Sequence, residues 1–283
     1  MTDDPTLDVL LPLARAGTRI PPSPNEDELI ALYAHPAPGS RGVGPHVRPR
    51  VHVRANMVST LDGAATGADH VSGSINNAAD HRVFDVLRAV ADVVLIGAGT
   101  ARAEGYADVR IPEPLLAGRR ARGQSDLLEL AVVSATGTLP DGLLDSDAPP
   151  FVLTTAARPD LAALQRRIGT ERVLVVGDGA SVDVARALDV LAARGLRRVL
   201  TEGGPRVVGE LANAGLLDEL CLTWSPLVVA GPAPRILDAV GWLAPAVTAR
   251  PAHLLHSAGV LLGRWVLDPA SRSASWSTGT PPG

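Results

Sequence analysis

The sequence contains no lysine, since all 26 of its basic residues are arginine. This excludes three kinds of site that need a lysine amine: the Schiff base of pyridoxal phosphate enzymes, the Walker-type phosphate loop and the kinase ATP site. The single cysteine, Cys221, excludes an intramolecular disulfide framework and any cysteine-rich zinc or iron–sulfur site. His253 and His256 form the one close pair of histidines, but on an extended segment they point to opposite faces. We therefore expect no metal site.

Long apolar runs and an excess of one charge are also absent. No stretch approaches the roughly 20 apolar residues that a membrane helix needs. The start, Met1-Thr2-Asp3-Asp4, carries two acidic residues and lacks the basic residues of a secretory signal. The net charge of −4 gives no electrostatic reason to expect nucleic acid or an anionic membrane as a partner. We expect a cytoplasmic protein that acts on a small molecule.

Between residues 48 and 268, apolar runs alternate with amphipathic stretches. The predicted strands are Val51–Met57, Asp92–Ile96, Leu130–Ser134, Phe151–Thr154, Arg172–Val176, Arg198–Thr201, Glu219–Trp224 and Val260–Val266. The predicted helices are Asn76–Val90, Pro159–Ile168, Ser181–Arg194 and Pro205–Ala214. Helices between strands favour crossover connections, so we predict an α/β fold with a mostly parallel central sheet, flanking helices and an antiparallel edge. Residues 1–47 are predicted to be a peripheral helix and linker, and residues 269–283 a disordered tail.

Two of these helices have recognisable ends. Ser181 is a possible N-cap of the third helix, and Gly195 is placed to end it. Pro205 suits the first turn of the fourth helix, which Gly215 is placed to end.

Three predicted strands run directly into glycine-containing turns, at residues 97–100, 177–179 and 202–205. Glycine lets backbone N–H groups approach a ligand closely, and ligands of open α/β sheets bind at the carboxyl ends of the strands. Together the turns predict an edge that holds a phosphate-bearing ligand. A Rossmann fingerprint is not met, because Arg102 and Val182 stand where its third glycine is required.

The helix Asn76–Val90 carries Asp80 and Arg88 on one shoulder of its apolar stripe. At about 1.5 Å rise per residue they lie roughly 12 Å apart along the axis, which suits the two ends of a small polar ligand. Two solvated surface charges are the more frequent reason for such a pattern. Glu202, at the end of a strand, is equally compatible with a ligand contact and with a local helix cap.

Five motifs occur in order: Ser59–Gly63; Leu87–Ala89 with Asp92; Gly97–Thr100 through Tyr106; Thr201–Pro205; and Leu217–Leu220 with Ser225-Pro226. With these motifs, roughly residues 48–267 resemble the C-terminal reductase domain of the bifunctional riboflavin-biosynthesis deaminase/reductase, and most of all its stand-alone, actinobacterial-type members. The resemblance implies a dihydrofolate-reductase-like fold, NADPH as hydride donor and a homodimer. It also implies reduction of the ribosyl group of 5-amino-6-(5-phosphoribosylamino)uracil to a ribityl chain.

The resemblance implies roles for particular residues. Ser72, Arg88, Arg110 and Glu202 would contact the substrate, with the two arginines suited to a sugar phosphate. Asp80 and Glu202 are the candidate catalytic residues, and Asp80 would contact the heterocycle or relay a proton. The expected cofactor contacts are Val58, Asp62, Ser74, Gly97, Gly99, Thr100, Glu104, Ser134, Gly203, Gly204, Pro205, Arg206 and Val207.

Some residues depart from the family pattern. The zinc deaminase signatures H-x-E and P-C-x-x-C do not occur in these 283 residues. Many members of the family have a bulky residue where this sequence has Ser74, and the stretch Asn76–Asp80 also differs. A reductase of dihydrofolate-like pterins that uses Asp80, and a non-catalytic protein that binds NADPH, therefore stay open as alternatives.

The preference for NADPH over NADH is also open at this point. A 2′-phosphate favours Arg, Ser or Thr at the end of a strand. Ser134, Thr154 and Arg158 meet this condition equally well.

Overall fold

The computed structural model describes residues 5–36 and 51–268. Their strands are β1 (Leu7–Leu11), β2 (Arg19–Ile20), β3 (His52–Thr60), β4 (Val93–Gly97), β5 (Glu129–Val133), β6 (Phe151–Thr154), β7 (Val173–Val175), β8 (Arg198–Thr201), β9 (Glu219–Ser225), β10 (Thr248–Ser257) and β11 (Val260–Asp268). Their helices are α1 (Asp27–Tyr33), α2 (Ala78–Val90), α3 (Ala98–Ala103), α4 (Glu113–Ala121), α5 (Asp141–Leu144), α6 (Leu161–Ile168), α7 (Val184–Ala192) and α8 (Pro205–Asn213). Short 3₁₀ turns lie at Leu13–Arg15, Ser72–Ile75 and Thr170–Arg172.

The strands form one sheet in the order β2-β1-β10-β11-β9-β3-β8-β4-β5-β6-β7. The part from β9 to β7 is parallel, whereas β11, β10, β1 and β2 continue it as antiparallel neighbours. This confirms the predicted α/β class with a mostly parallel centre and an antiparallel edge.

Helices cover both faces of the parallel strands, as β4 illustrates. Successive strand residues point to opposite faces, and all of Val93–Ile96 are buried. Val94 and Ile96 belong to the apolar cluster that includes α2, while Val93 and Leu95 belong to the cluster that includes α7 and α8. Burial on both faces explains why these strands read as continuous apolar runs.

Polar groups satisfy both ends of α2, the helix that lies behind the site. The side chain of Asn77 caps its N-terminus by accepting a hydrogen bond from the backbone N–H of Asp80. At the other end, the buried Arg119 guanidinium donates to the carbonyls of Arg88, Ala89 and Ala91. The helix therefore begins two residues later than predicted, and its position is fixed at both ends.

Buried arginines attach the N-terminal segment to the sheet and to α2. Arg54 on β3 and Arg264 on β11 both pair with Glu219 on β9, and they also donate to the carbonyls of Tyr33 and Leu32.

From α2, Arg82 pairs with Glu26 and donates to the carbonyls of Pro5, Ile20 and Pro21. The chain before residue 48 therefore adds β1 and β2 to the sheet, which the sequence analysis did not anticipate, while the proposed division at residue 48 stays a prediction. Part of the predicted linker and all of the predicted tail lie outside the described residues.

Several local predictions can be compared with the structure. Pro205 is the first residue of α8, as predicted, and Gly195 and Gly215 follow their helices with positive φ. The N-cap of α7 is Asp183 rather than Ser181, because the Asp183 carboxylate accepts hydrogen bonds from two N–H groups of the first turn. No helix of the described residues is long and apolar enough to cross a membrane.

Candidate active site

A cavity of about 1170 Å³ opens at the carboxyl ends of the central strands. Asn56–Val58 of β3, Gly97 of β4, Gly203–Gly204 after β8 and Ser134 after β5 all line it. Two of the three glycine-rich turns therefore meet at this edge, and residues 180–182 beyond the third also line the cavity. The predicted ligand-binding edge is thus a single continuous cavity.

Most of the residues predicted from the family resemblance line this cavity. They are Val58, Ser72, Asp80, Gly97, Gly99, Thr100, Glu104, Ser134, Glu202, Gly203, Gly204, Pro205, Arg206 and Val207. Asp62, Ser74, Arg88 and Arg110 are not among the lining residues.

The floor of the cavity depends on a close approach of two turns. The Gly97 N–H donates to the Gly203 carbonyl at 3.1 Å. A Cβ at position 204 would lie 2.7 Å from Thr100 Oγ1, so only glycine fits there without displacing Thr100. Gly204 is also the N-cap of α8, and no side chain caps that helix. Uncapped N–H groups at a helix N-terminus favour a negatively charged ligand group.

Asp80 lies in the first turn of α2 and is only 4% exposed, although it lines the cavity. Burial raises the pKa of its carboxyl, and hydrogen bonds from Thr223 and Asn76 and the charge of His81 partly offset this. A buried carboxyl of this kind suits either proton transfer or the binding of N–H donors on a heterocycle.

Glu202 is held by a network of side chains. Arg88 donates two hydrogen bonds of 2.7 Å to its two oxygens, and the Tyr106 hydroxyl donates a third, also 2.7 Å long. The Arg88 side chain is 13% exposed and stacks on the Phe84 ring. Burial lowers the pKa of Arg88, but its bonds to Glu202 and the charge of Glu202 outweigh this and raise the pKa overall. Arg88 therefore fixes the Glu202 carboxylate, which itself lines the cavity.

Arg110 and Ser74 have local partners outside the cavity. The Arg110 side chain is 85% exposed and pairs with Asp108 at 2.6 Å. Ser74 donates to Asp69 and to the carbonyl of Val71. Nothing in this arrangement brings either residue to the predicted ligand.

Asp62 and Ser72 connect segments around the cavity. Asp62 accepts hydrogen bonds from Thr60 and from the N–H groups of Val229 and Ala230, and the Thr60 bond is the main cause of its lowered pKa. It therefore attaches the turn after β3 to the connection between β9 and β10. The Ser72 N–H donates to Glu104 at 2.9 Å, which brings a predicted substrate contact and a predicted cofactor contact together.

Two groups stand out among the lining residues that the sequence did not predict. One comprises Asn56 on β3 and the Tyr106 side chain. The other is Pro234, Arg235, Leu237 and Asp238, which belong to the long connection 226–247 between β9 and β10. The sequence signal for the connection is its length without a helix or strand pattern, because long connections are frequently functional.

The model of the RibD C-terminal domain matches residues 51–260, most of the chain and the whole cavity. The chain belongs to this family. One relative of this RibD C-terminal domain is the 2,5-diamino-6-ribosylamino-4(3H)-pyrimidinone 5′-phosphate reductase of Archaeoglobus fulgidus. The two sequences are 25% identical over 197 residues, which are 69% of this chain and 89% of the relative. The enzyme of the same name from Methanothermobacter thermautotrophicus is 28% identical over 194 residues, with 66% and 83% covered.

Longer members of the family match over part of their length only. The riboflavin biosynthesis protein RibD of Mycobacterium tuberculosis is 26% identical over 188 residues, which are 66% of this chain and 45% of RibD.

Solved structures of pyrimidine reductase-like and RibD proteins share the α/β fold of this RibD C-terminal domain. A pyrimidine reductase-like protein from Corynebacterium diphtheriae superposes with a TM-score of 0.67 at 24% identity, covering 77% of this chain and 92% of that one. RibD of Acinetobacter baumannii gives a TM-score of 0.61 at 19% identity, with 78% and 58% covered.

Proposed function

We propose that this chain is an NADPH-dependent reductase of a ribosylaminopyrimidine 5′-phosphate in riboflavin biosynthesis. The observation that carries the proposal is one cavity in which a glycine-rich floor adjoins buried carboxylates. The floor at Gly97–Thr100 and Gly203–Gly204 suits a diphosphate, while Asp80 and Glu202 suit a heterocycle with N–H donors. The names of the relatives support the same reaction class.

The residues of the floor fit a nicotinamide dinucleotide. Gly204 lets the turn after β8 approach the Thr100 hydroxyl closely, and the N-terminus of α8 favours the negative charge of a diphosphate. Bound NADPH would supply the hydride. The protein must then hold the acceptor carbon of the substrate in line with the hydride donor and exclude water from that carbon.

The substrate would lie against α2 and the Glu202 network. Aminopyrimidines present N–H donors, which the carboxylates of Asp80 and Glu202 accept. Glu202 retains lone pairs beyond those used by Arg88 and Tyr106, because a carboxylate accepts about four hydrogen bonds. Arg88 positions Glu202, and Asp80 is the candidate for holding or moving a proton.

The test is NADPH oxidation by the purified protein with three acceptors in parallel. These are 2,5-diamino-6-ribosylamino-4(3H)-pyrimidinone 5′-phosphate, its deaminated uracil counterpart, and dihydrofolate. We expect turnover with a pyrimidine, loss of that turnover in Asp80→Asn, and little oxidation with dihydrofolate. NADPH binding with no turnover on any acceptor would contradict the proposal and favour the non-catalytic alternative.

A second candidate function, reduction of a dihydrofolate-like pterin, is favoured by one observation. Asp80 is a buried carboxyl in the first turn of the cavity helix, and Thr223 donates a hydrogen bond to it. Such a carboxyl can hold a pterin ring through its N–H groups. Turnover with dihydrofolate alone, abolished in Asp80→Asn, would establish this function in place of the first.

The homodimer expected from the family resemblance stays a prediction. The structure offers exposed apolar side chains that a second copy would cover, among them Leu61, Val228 and Trp242.

A further inference from the structure

The cavity extends well beyond the proposed substrate site. It continues past the glycine turns to residues 134–137 after β5 and to residues 180–182. Three strand spacings separate β3 from β5 in the sheet, a distance of about 14 Å at about 4.8 Å each. If the diphosphate lies at the turns after β4 and β8, an extended dinucleotide places its adenosine half against residues 134–137. This step rests on the proposed function.

One cationic side chain lies against this outer part of the cavity. Arg102, on α3 one turn after Ala98, lines the cavity and donates to the Thr138 carbonyl at 2.6 Å. A Cβ on Gly137 would lie 3.4 Å from Arg102 Nη1 and 3.6 Å from Ser134 Oγ, so these groups share one small space. Among the described residues, no carboxylate pairs with Arg102, and its other N–H groups are available to a ligand.

The three sequence candidates for binding a 2′-phosphate, Ser134, Thr154 and Arg158, instead stabilise the loop of residues 134–137. Arg158 is 4% exposed and donates to the backbone carbonyls of Ser134 and Gly137. The Ser134 hydroxyl donates to the Gly137 carbonyl, and the buried Thr154 hydroxyl donates to the Ala135 carbonyl. The hydrogen bonds of these side chains therefore fix the backbone of residues 134–137.

The remaining arginines of the cavity wall lie elsewhere. Arg206 is at the start of α8 and pairs with Asp238 at 3.5 Å. Arg235 belongs to the connection 226–247, whose neighbouring Pro234 carbonyl accepts from Ala65 after β3. Among the described residues, neither arginine makes a hydrogen bond or an ion pair with residues 134–137.

We propose that Arg102 binds the 2′-phosphate of the adenosine ribose and so selects NADPH over NADH. A guanidinium fork matches a phosphate, and charge-assisted bonds of this kind are the strong ones. NADH would leave the same guanidinium with only the Thr138 carbonyl and solvent. Arg102 is thus a specificity-determining residue for the cofactor.

The experiment measures dissociation constants of NADP⁺ and NAD⁺ by titration calorimetry, without substrate. In Arg102→Ala we expect NADP⁺ to bind about 10- to 100-fold more weakly, and NAD⁺ to change less than about twofold. Charge reversal in Arg102→Glu should weaken NADP⁺ further. The matched control, Arg235→Ala, should alter both constants by the same factor. Circular dichroism melting checks that each variant is folded.

Different failures are distinguishable. If the wild-type protein binds neither dinucleotide, the proposed function fails and this inference fails with it. If the wild type prefers NADP⁺ but Arg102→Ala weakens both dinucleotides equally, or neither, then Arg102 does not read the 2′-phosphate while the proposed function stands. A wild type that binds NAD⁺ as tightly as NADP⁺ also overturns the inference.

Discussion

Arg88→Ala should destabilise the protein far more than loss of an ordinary surface ion pair. Arg88 donates two 2.7 Å hydrogen bonds to Glu202, whose side chain is 3% exposed. Without Arg88, a buried carboxylate keeps only the Tyr106 hydroxyl as a partner. Breaking one side of a buried ion pair costs about 3–5 kcal/mol. At about 2–4 °C per kcal/mol for a chain of this size, the Tm should fall by roughly 6–20 °C.

The assay is urea unfolding together with calorimetric melting, and the chain offers a matched control. Arg120 makes a similar paired contact with Asp126, but both side chains are about half exposed. Arg120→Ala should therefore change stability by less than about 1 kcal/mol.

A double-mutant cycle with Glu202→Ala should show that the two single losses are not additive, because the double variant leaves no unpaired charge. If Arg88→Ala resembles Arg120→Ala, or if the losses simply add, then Arg88 does not hold Glu202 and the reasoning is refuted.

Two further predictions concern α2. Burial raises the pKa of the Asp80 carboxyl. The free energy of unfolding therefore falls as pH rises through that raised pKa and the buried carboxyl becomes charged. Asp80→Asn should therefore unfold at higher urea than wild type at pH 7, and the gain should shrink as pH falls through the pKa; an unchanged midpoint at pH 7 would contradict this. Arg82→Ala leaves Glu26 unpaired and frees three carbonyls of the N-terminal segment. Amide exchange in β1 and α1 should rise selectively, and uniform exchange would argue against this attachment.

The parallel centre of the fold was predictable because its signals are local. Strands β4, β5 and β6 are buried on both faces, so each reads as a short apolar run, and the glycine turns mark where strands end. An antiparallel edge was predicted, but three of its strands, β1, β2 and β10, were not. β10 contains Pro251, and its pairing with β11 shifts register between Pro251 and His253, so no clean alternation remains.

The site was predictable in its backbone but less so in its side chains. Gly203, Gly204 and Thr100 are constrained by the close approach of two turns, and family motifs report such constraints directly. Arg88 and Arg110 look alike in sequence, yet one has a buried carboxylate as its partner and the other the nearby Asp108. Which partner an arginine takes depends on tertiary packing, which no local pattern reports. Arg102 was missed because α3 is only six residues long and has no distinct helical pattern.

The antiparallel edge also sets practical limits on how the molecule is divided. The family match runs from residue 51 to residue 260, yet β1 covers one side of β10, and β11 joins β10 to β9. A fragment cut at those limits would lose β1 and nearly all of β11. It would leave β10 without either neighbour and would expose unpaired strand edges, which are templates for aggregation. The segment that matches the family model is therefore smaller than the sheet to which it belongs. Expression of this protein should begin before β1 and end after β11.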